Sequence, residues 1–412
     1  MRVYKFGGAS IADAAGIKRL GAIAGKEKNL FVIVSAMGKM TNAFEQLVQA
    51  KDQAGRTQAL QFIKEYHLNI VSELFEQEDE IFPKLQSFFE QIEQLTSQFA
   101  EVNYDFLYDQ VVSFGELISS TIVNHYLQST GVQSQWLDAR KLVRTDESYR
   151  EALVNWQKTE ENIQNSCKQG GVFLSQGFIA GSENGLTTTL GREGSDYSAA
   201  IMAYALGAES LTIWKDVEGV LNADPRYFQK TELLRELSYG EAIEMAFYGA
   251  SVIHPKTLKP LENAEIPLRV KSFLNPEASG TTIAKNLALN PFVPCYILKR
   301  EQVLISISAR DFSFIVEQNI TSIFQALSEF KLKVNLIQNS ALEFVVCVTD
   351  KYGTIEGFKQ KMQEEFVLKI TRDLRMYTIR HFDLQGLSEF ENEFDILLKQ
   401  RNNEVYQLVV SG

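Results

Sequence analysis

Met1-Arg2-Val3-Tyr4-Lys5-Phe6-Gly7-Gly8-Ala9-Ser10 opens the chain with a short alternating run and two glycines, after which Ile11, Ile17, Leu20 and Ile23 recur at helical spacing. The pattern predicts a strand over 2–5, a sharp turn and a helix. That sequence of elements is the recipe for an anion site. Glycines without Cβ atoms let backbone N–H groups approach phosphate oxygens, the helix that follows turns its positive end toward them, and Lys5 adds a full charge. A Walker loop is excluded because the G-x-x-x-x-G-K-[ST] spacing is absent. By itself the stretch also reads as an ordinary strand-to-helix turn.

Outward from it, Leu30-Phe31-Val32-Ile33-Val34 is a continuous apolar run of the kind found in buried parallel strands. It empties into Ser35-Ala36-Met37-Gly38-Lys39-Met40-Thr41-Asn42, small and polar residues where α/β sheets place ligands, or a surface loop. Residues 57–103 carry apolar positions at helical spacing and predict a helical hairpin. A further helix opens near Val111 and carries Glu116 in its first turn, where a carboxylate complements the helix dipole or holds an ammonium group.

A strand over 172–178 and Thr187-Thr188-Thr189-Leu190 lead into Gly191-Arg192-Glu193-Gly194-Ser195-Asp196-Tyr197 and an alanine-rich helix. This repeats the anion-site recipe, with an arginine fork suited to a carboxylate and an aspartate able to position a lysine. The next strand, 211–214, runs into Lys215-Asp216-Val217-Glu218-Gly219 and then Asp224-Pro225-Arg226, a ligand-contacting or solvated loop. Ser238-Tyr239-Gly240-Glu241 has capping-box spacing, and 266–271 is one more strand. Strands separated by helices predict a three-layer α/β domain with a mainly parallel sheet, over residues 1–285.

Residues 286–300 read as a linker with a strand. Beyond it the order strand, helix, strand, strand, helix, strand over 301–373 is a complete βαββαβ module. The remainder, 374–412, has a strand at 376–380, a helix around 390–399 and a last strand at 405–410, joined by the strand at 296–300 in a shortened second module of about three strands and one helix.

At 412 residues the chain is too long for one ordinary core, and 45% hydrophobic with 23% charged residues is a globular composition. No run approaches a membrane span and the N-terminus lacks the pattern of a signal peptide, so the cytoplasm is the expected location. The net charge of −11 argues against a nucleic-acid partner. It also makes the cations Lys5, Arg192, Lys215, Arg226, Lys256 and Lys271 conspicuous as candidates for an anionic substrate. Cys167, Cys295 and Cys347 are odd in number and far apart, the four histidines are scattered, and neither a disulfide framework nor a metal site is predicted.

Five segments in one order resemble the aspartokinases: Lys5-Phe6-Gly7-Gly8-Ala9-Ser10; Ser35 through Thr41-Asn42; Ser113-Phe114-Gly115-Glu116; Thr187 through Asp196-Tyr197; and Lys215 through Gly219 with Asp224-Pro225-Arg226. The βαββαβ module is similar to the ACT modules of that family. The resemblance implies phosphoryl transfer from ATP, carried with Mg²⁺, to the side-chain carboxylate of L-aspartate, the first step toward lysine, threonine and methionine. It implies catalytic roles for Lys5 and for Asp196, which would organise it. Phosphate and nucleotide would be held by Lys5, Phe6, Gly7, Gly8, Ser10, Lys215, Asp216, Asp224, Arg226 and Lys256. Aspartate would lie among Ser35, Thr41, Arg192 and Ser195, with Glu116 on its ammonium; no protein metal ligand is assigned. Glu193, Leu221 and Ser251 depart from residues frequent in relatives. A homodimer through the ACT region with weak or absent inhibition by lysine or threonine is expected. The competing readings are another amino-acid or carbamate kinase, and a non-catalytic amino-acid sensor.

Overall fold

The structure is a computed structural model and describes residues 1–97, 103–250, 253–311 and 313–411. Ser251 and the end of the predicted helical hairpin fall outside the described residues. The chain divides into two compact units, one of 1–220, 233–243 and 253–289, the other of 221–232, 244–252 and 290–412.

The first unit begins with β1 (Arg2–Phe6), α1 (Ala14–Ala24), β2 (Leu30–Val34), α2 (Met40–Gln49), α3 (Gln53–Leu74) and α4 (Ile81–Thr96). It continues with α5 (Tyr104–Val112), α6 (Phe114–Ser129), β3 (Ser134–Leu137), α7 (Ala139–Leu142) and β4 (Arg144–Thr145). Then come α8 (Trp156–Ser166), β5 (Val172–Gln176), β6 (Ile179–Ser182), β7 (Thr187–Thr189), α9 (Gly194–Ala205) and β8 (Ser210–Lys215). An eight-stranded sheet places β1 between β8 and β2, with β5 and β3 beyond β2 and the strands Leu268–Ser272, Thr281–Ile283 and Glu236–Leu237 beyond β8. Every pairing among β3, β5, β2, β1, β8 and Leu268–Ser272 is parallel.

Both faces of this sheet are dry, which is why Leu30 to Val34 is apolar without alternation. Tyr4, Phe6, Val32, Val34 and Leu174 pack with apolar residues of α1 to α6. The opposite face, Val3, Phe31, Ile33 and Phe173, is equally buried, and α9 covers the β1–β2 part of the sheet. The three layers follow from this period-two division. A small sheet joins β4, β6 and β7 beside the main one.

In the second unit a six-stranded antiparallel sheet runs Lys333–Asn339, Glu343–Thr349, Cys295–Ala309, Phe366–Arg380, Val405–Val410, Ile396–Arg401, with helices Glu317–Glu329, Ile355–Met362 and Leu384–Glu391. Two 15-residue strands, Cys295–Ala309 and Phe366–Arg380, pass through both halves, and their register shifts between Lys299 and Leu304. The βαββαβ half and the shortened half are therefore one continuous sheet.

The helix expected around 390–399 is corrected. Helix lies at Leu384–Glu391, and Ile396–Arg401 is a strand paired antiparallel with Val405–Val410. Asn402 sets the hairpin, its Oδ1 accepting from the N–H groups of Glu404 and Val405 at 2.9 and 2.7 Å. The shortened half thus holds four strand segments and one helix, one strand more than expected.

Candidate active site

Lys5 sits at the C-terminal end of the central strand, level with Ile33 of β2 and Ile213 of β8. Period two puts it on the Val3 face, toward α9, where its Nζ lies 2.5 Å from Asp196 Oδ1. Both side chains are about nine-tenths buried. Burial by itself would raise the Asp196 pKa, but the charges of Lys5 and Lys215 outweigh it and hold the carboxyl below its usual range. The site therefore keeps a fixed ammonium with a buried counter-charge at the strand end, where ligands of open α/β sheets lie.

The turn after β1 is tighter than the sequence suggests. Gly8–Ile11 forms one 3₁₀ turn, and α1 starts only at Ala14, capped by Asp13, whose Oδ1 accepts from Gly16 N–H at 2.6 Å. The expected helix dipole at the glycines is thus replaced by the N–H groups of the 3₁₀ turn. A Cβ on Gly8 would lie 2.6 Å from Gly38 O and 2.7 Å from Ala36 O, so the loops after β1 and β2 touch backbone to backbone. Gly38 N–H donates to Gly8 O at 2.9 Å. Ser10 Oγ donates to Trp214 O at 3.1 Å and Phe6 stacks on the Trp214 ring, 5.9 Å between centroids, so both brace β1 against β8.

Glu116 is 2% exposed, in the first turn of α6. Its Oε1 accepts from Ala36 N–H at 3.3 Å, whereas Oε2 is buried with no partner among the described residues. Burial pushes its pKa up to about 8, with Ala36 and the Lys5 charge offsetting part of the shift. One turn on, Ser119 Oγ donates to Ser35 O at 2.6 Å, tying α6 to the loop that carries Ser35 and, in the first turn of α2, the half-buried Thr41. A buried acceptor oxygen without a donor is costly, and a ligand ammonium would satisfy it.

Arg192 is exposed in the turn between β7 and α9, where Gly191 and Glu193 have φ of +77° and +51°. A Cβ on Gly177 would stand 2.6 Å from Ser195 Cβ, so the end of β5 admits α9 only through that glycine. Glu193 turns from the Arg192 side chain's turn to a neighbouring helix. Its Oε2 accepts from His254 N–H at 3.0 Å, at the start of the helix Pro255–Asn263. Lys256, on that helix, donates to Leu190 O at 3.0 Å and lies 4.7 Å over the Tyr197 ring, while burial lowers its pKa. Its ammonium is thus engaged by the turn that carries Arg192.

Lys215 is half-buried at the end of β8 and Asp216 is exposed just beyond it. Asp224 and Arg226 belong to the segment 221–232 of the second unit, where the guanidinium forks onto the carboxylate at 2.6 and 3.0 Å. Leu221 belongs to that segment too. The first unit therefore gathers Lys5, Glu116, Asp196 and Lys215 through space, and carries Ser35 and Thr41 on the loop and helix start after β2 and Arg192 and Ser195 on the turn and helix start after β7. Sequence reading missed Asp109, Ser119 and Trp214. Only Ser119 left a signal, one turn after Glu116 on the same helix face. Among the described residues no group of three or more His, Cys, Asp or Glu side chains could hold a metal ion.

A model of the amino acid kinase family matches residues 1–272. The lysine-sensitive aspartokinase 3 of Escherichia coli is 31% identical over 363 residues, 86% of this chain and 80% of that one. An aspartokinase of Chlamydia trachomatis is 33% identical over 310 residues, 73% of this chain and 69% of the relative. The crystal structure of E. coli aspartokinase III in complex with aspartate and ADP superposes with a TM-score of 0.84 at 28% identity, covering 100% of this chain and 96% of that one. By sequence through its α/β unit and by fold along its length, the chain belongs to the amino acid kinase family and, within it, to the aspartokinases.

Proposed function

We infer that this protein is an ATP-dependent aspartate kinase, forming 4-phospho-L-aspartate and ADP. The observation that carries the reading is the unpartnered Oε2 of buried Glu116 close enough to feel the charge of Lys5, itself paired with Asp196: an ammonium acceptor beside a phosphate-binding cation.

The acceptor carboxylate is ionised at neutral pH and needs no general base, so catalysis rests on alignment and charge neutralisation. A side-chain oxygen of aspartate attacks the γ-phosphorus, the bond to the ADP oxygen breaks, and charge spreads over the transferring oxygens. Lys5 meets that charge, with Asp196 keeping it in place, and the N–H groups of the Gly7–Gly8 turn face the phosphate. Arg192 and Thr41 hold the aspartate carboxylates, with Ser35 and Ser195 beside them, and Glu116 holds the ammonium. Lys215 and Asp216 serve the nucleotide, and Lys256 braces the turn that carries Arg192. Magnesium enters as part of the MgATP substrate. The protein works in the cytoplasm, where ATP is at hand, as a homodimer through its ACT-like unit.

A substrate screen tests this reading. ATP turnover with aspartate should exceed that with glutamate derivatives and with carbamate at least about tenfold, the discrimination expected when buried polar groups are left unpaired by the wrong acid. Preference for either alternative, or no turnover at all, overturns it.

A further inference from the structure

Asp109, on α5, takes no part in the chemistry above and is completely buried. Among the described residues its hydrogen-bond donors are neutral groups. The Arg150 N–H lies 3.1 and 3.0 Å from its two oxygens, the Thr189 N–H donates at 2.8 Å, and the Thr189 hydroxyl donates at 2.8 Å. Among the described residues no cationic side chain hydrogen-bonds the carboxylate, and burial pushes its pKa up to about 6 although the Arg150 charge and these donors act against the shift. An aspartate kept there at such a cost orders whatever its donors belong to.

Those donors bracket the turn that presents Arg192. Thr189 ends β7, three positions before Arg192, and its carbonyl accepts from Ala152 N–H at 2.9 Å. Arg150 has φ +71°, a left-handed conformation that the carboxylate stabilises by taking its N–H. Gly191 then leans on the same loop, where a Cβ would lie 2.8 Å from Glu151 Cγ and 3.1 Å from Arg150 O. Asp109 thus fixes both the strand end from which the turn springs and the loop against which it rests.

Building on the proposed function, we propose that Asp109 is a positioning residue for recognition of the aspartate substrate: by holding Thr189 and Arg150 it sets the direction in which Arg192 presents its guanidinium to the substrate carboxylate. It touches no substrate itself. Its loss acts on aspartate, through Arg192, and leaves the nucleotide side of the site as it was.

The test is steady-state kinetics on full-length Asp109→Asn, Thr189→Val and Thr189→Ser beside the wild type, each checked for its melting transition. Asparagine replaces one acceptor by an N–H₂ facing N–H donors, so KM for aspartate should rise about tenfold while KM for ATP stays within about twofold. Valine removes only the hydroxyl donor and should raise KM for aspartate about threefold, with serine restoring it. If Asp109→Asn does not fold, the valine and serine pair decides. Folded variants with aspartate KM within twofold of wild type, or with both KM values rising together, overturn the proposal. A wild-type enzyme without aspartate-dependent turnover overturns instead the aspartate reading on which it rests.

Discussion

Glu116→Gln separates charge from shape at the ammonium site. In the free protein the carboxyl has a pKa of about 8, so at pH 7 roughly one molecule in eleven carries the charge that an ammonium needs. Ionising it on binding costs about 1.4 kcal/mol at pH 7, about twice that at pH 6 and little above pH 8. KM for aspartate should therefore fall about tenfold from pH 6 to 7 and about fivefold from 7 to 8, then level off. Glutamine keeps the volume and one acceptor but no charge, so the variant should bind aspartate about 5- to 100-fold more weakly at pH 8, with the slope gone. The same shift has a consequence for stability. The native-state pKa lies above the ordinary carboxylate value of 4.5, so between about 4.5 and 8 the native state keeps a proton that the unfolded chain has lost. Stability of the ligand-free protein falls as pH rises through that window, with Asp109 adding in the same direction up to about 6. Glu116→Gln should flatten the decline. Aspartate titrations at saturating MgATP from pH 6 to 8.5, with thermal melts over the same range, give both readouts. A wild-type KM constant within twofold from pH 6 to 8, or an undiminished slope in the glutamine variant, refutes the reasoning.

Lys5→Met should lower turnover by about 10²- to 10³-fold by removing charge from the transition state. Because Lys5 is buried against Asp196, the variant should also melt earlier; adding Asp196→Asn should recover the melt without the turnover, and a single variant keeping more than about a tenth of wild-type activity would count against the role of Lys5. The outer strands of the six-stranded sheet, Lys333–Asn339 and Ile396–Arg401, each pair on one side only among the described residues, and a homodimer through residues after about Pro294 should appear in light scattering. The shortened half has one helix among the described residues where a βαββαβ module has two, and on that ground inhibition by lysine or threonine at subsaturating aspartate should be weak or absent. Submillimolar inhibition, or a monomer at micromolar concentration, would contradict these expectations.

Local pattern was enough for most of the architecture. Leu30 to Val34 reads as a doubly buried strand because only apolar side chains suit two dry faces. Gly7-Gly8 and Gly191 to Gly194 read as anion turns because few other residues let backbone come so close. The residues 390–399 show where pattern fails. Phe390, Phe394 and Leu398 fit a helix face, but Ile396 and Leu398 also alternate as in a strand, and pairing across the Asn402 hairpin decides for the strand. The lone oxygen of Glu116, the turn of Lys256 toward Leu190 and the grip of Asp109 on Thr189, 80 residues away, had no trace in the sequence. Periodicity records how each segment faces solvent or core. Which donor meets which acceptor, and which acceptor is left buried without a partner, is decided only when distant segments are packed together and water is excluded from between them.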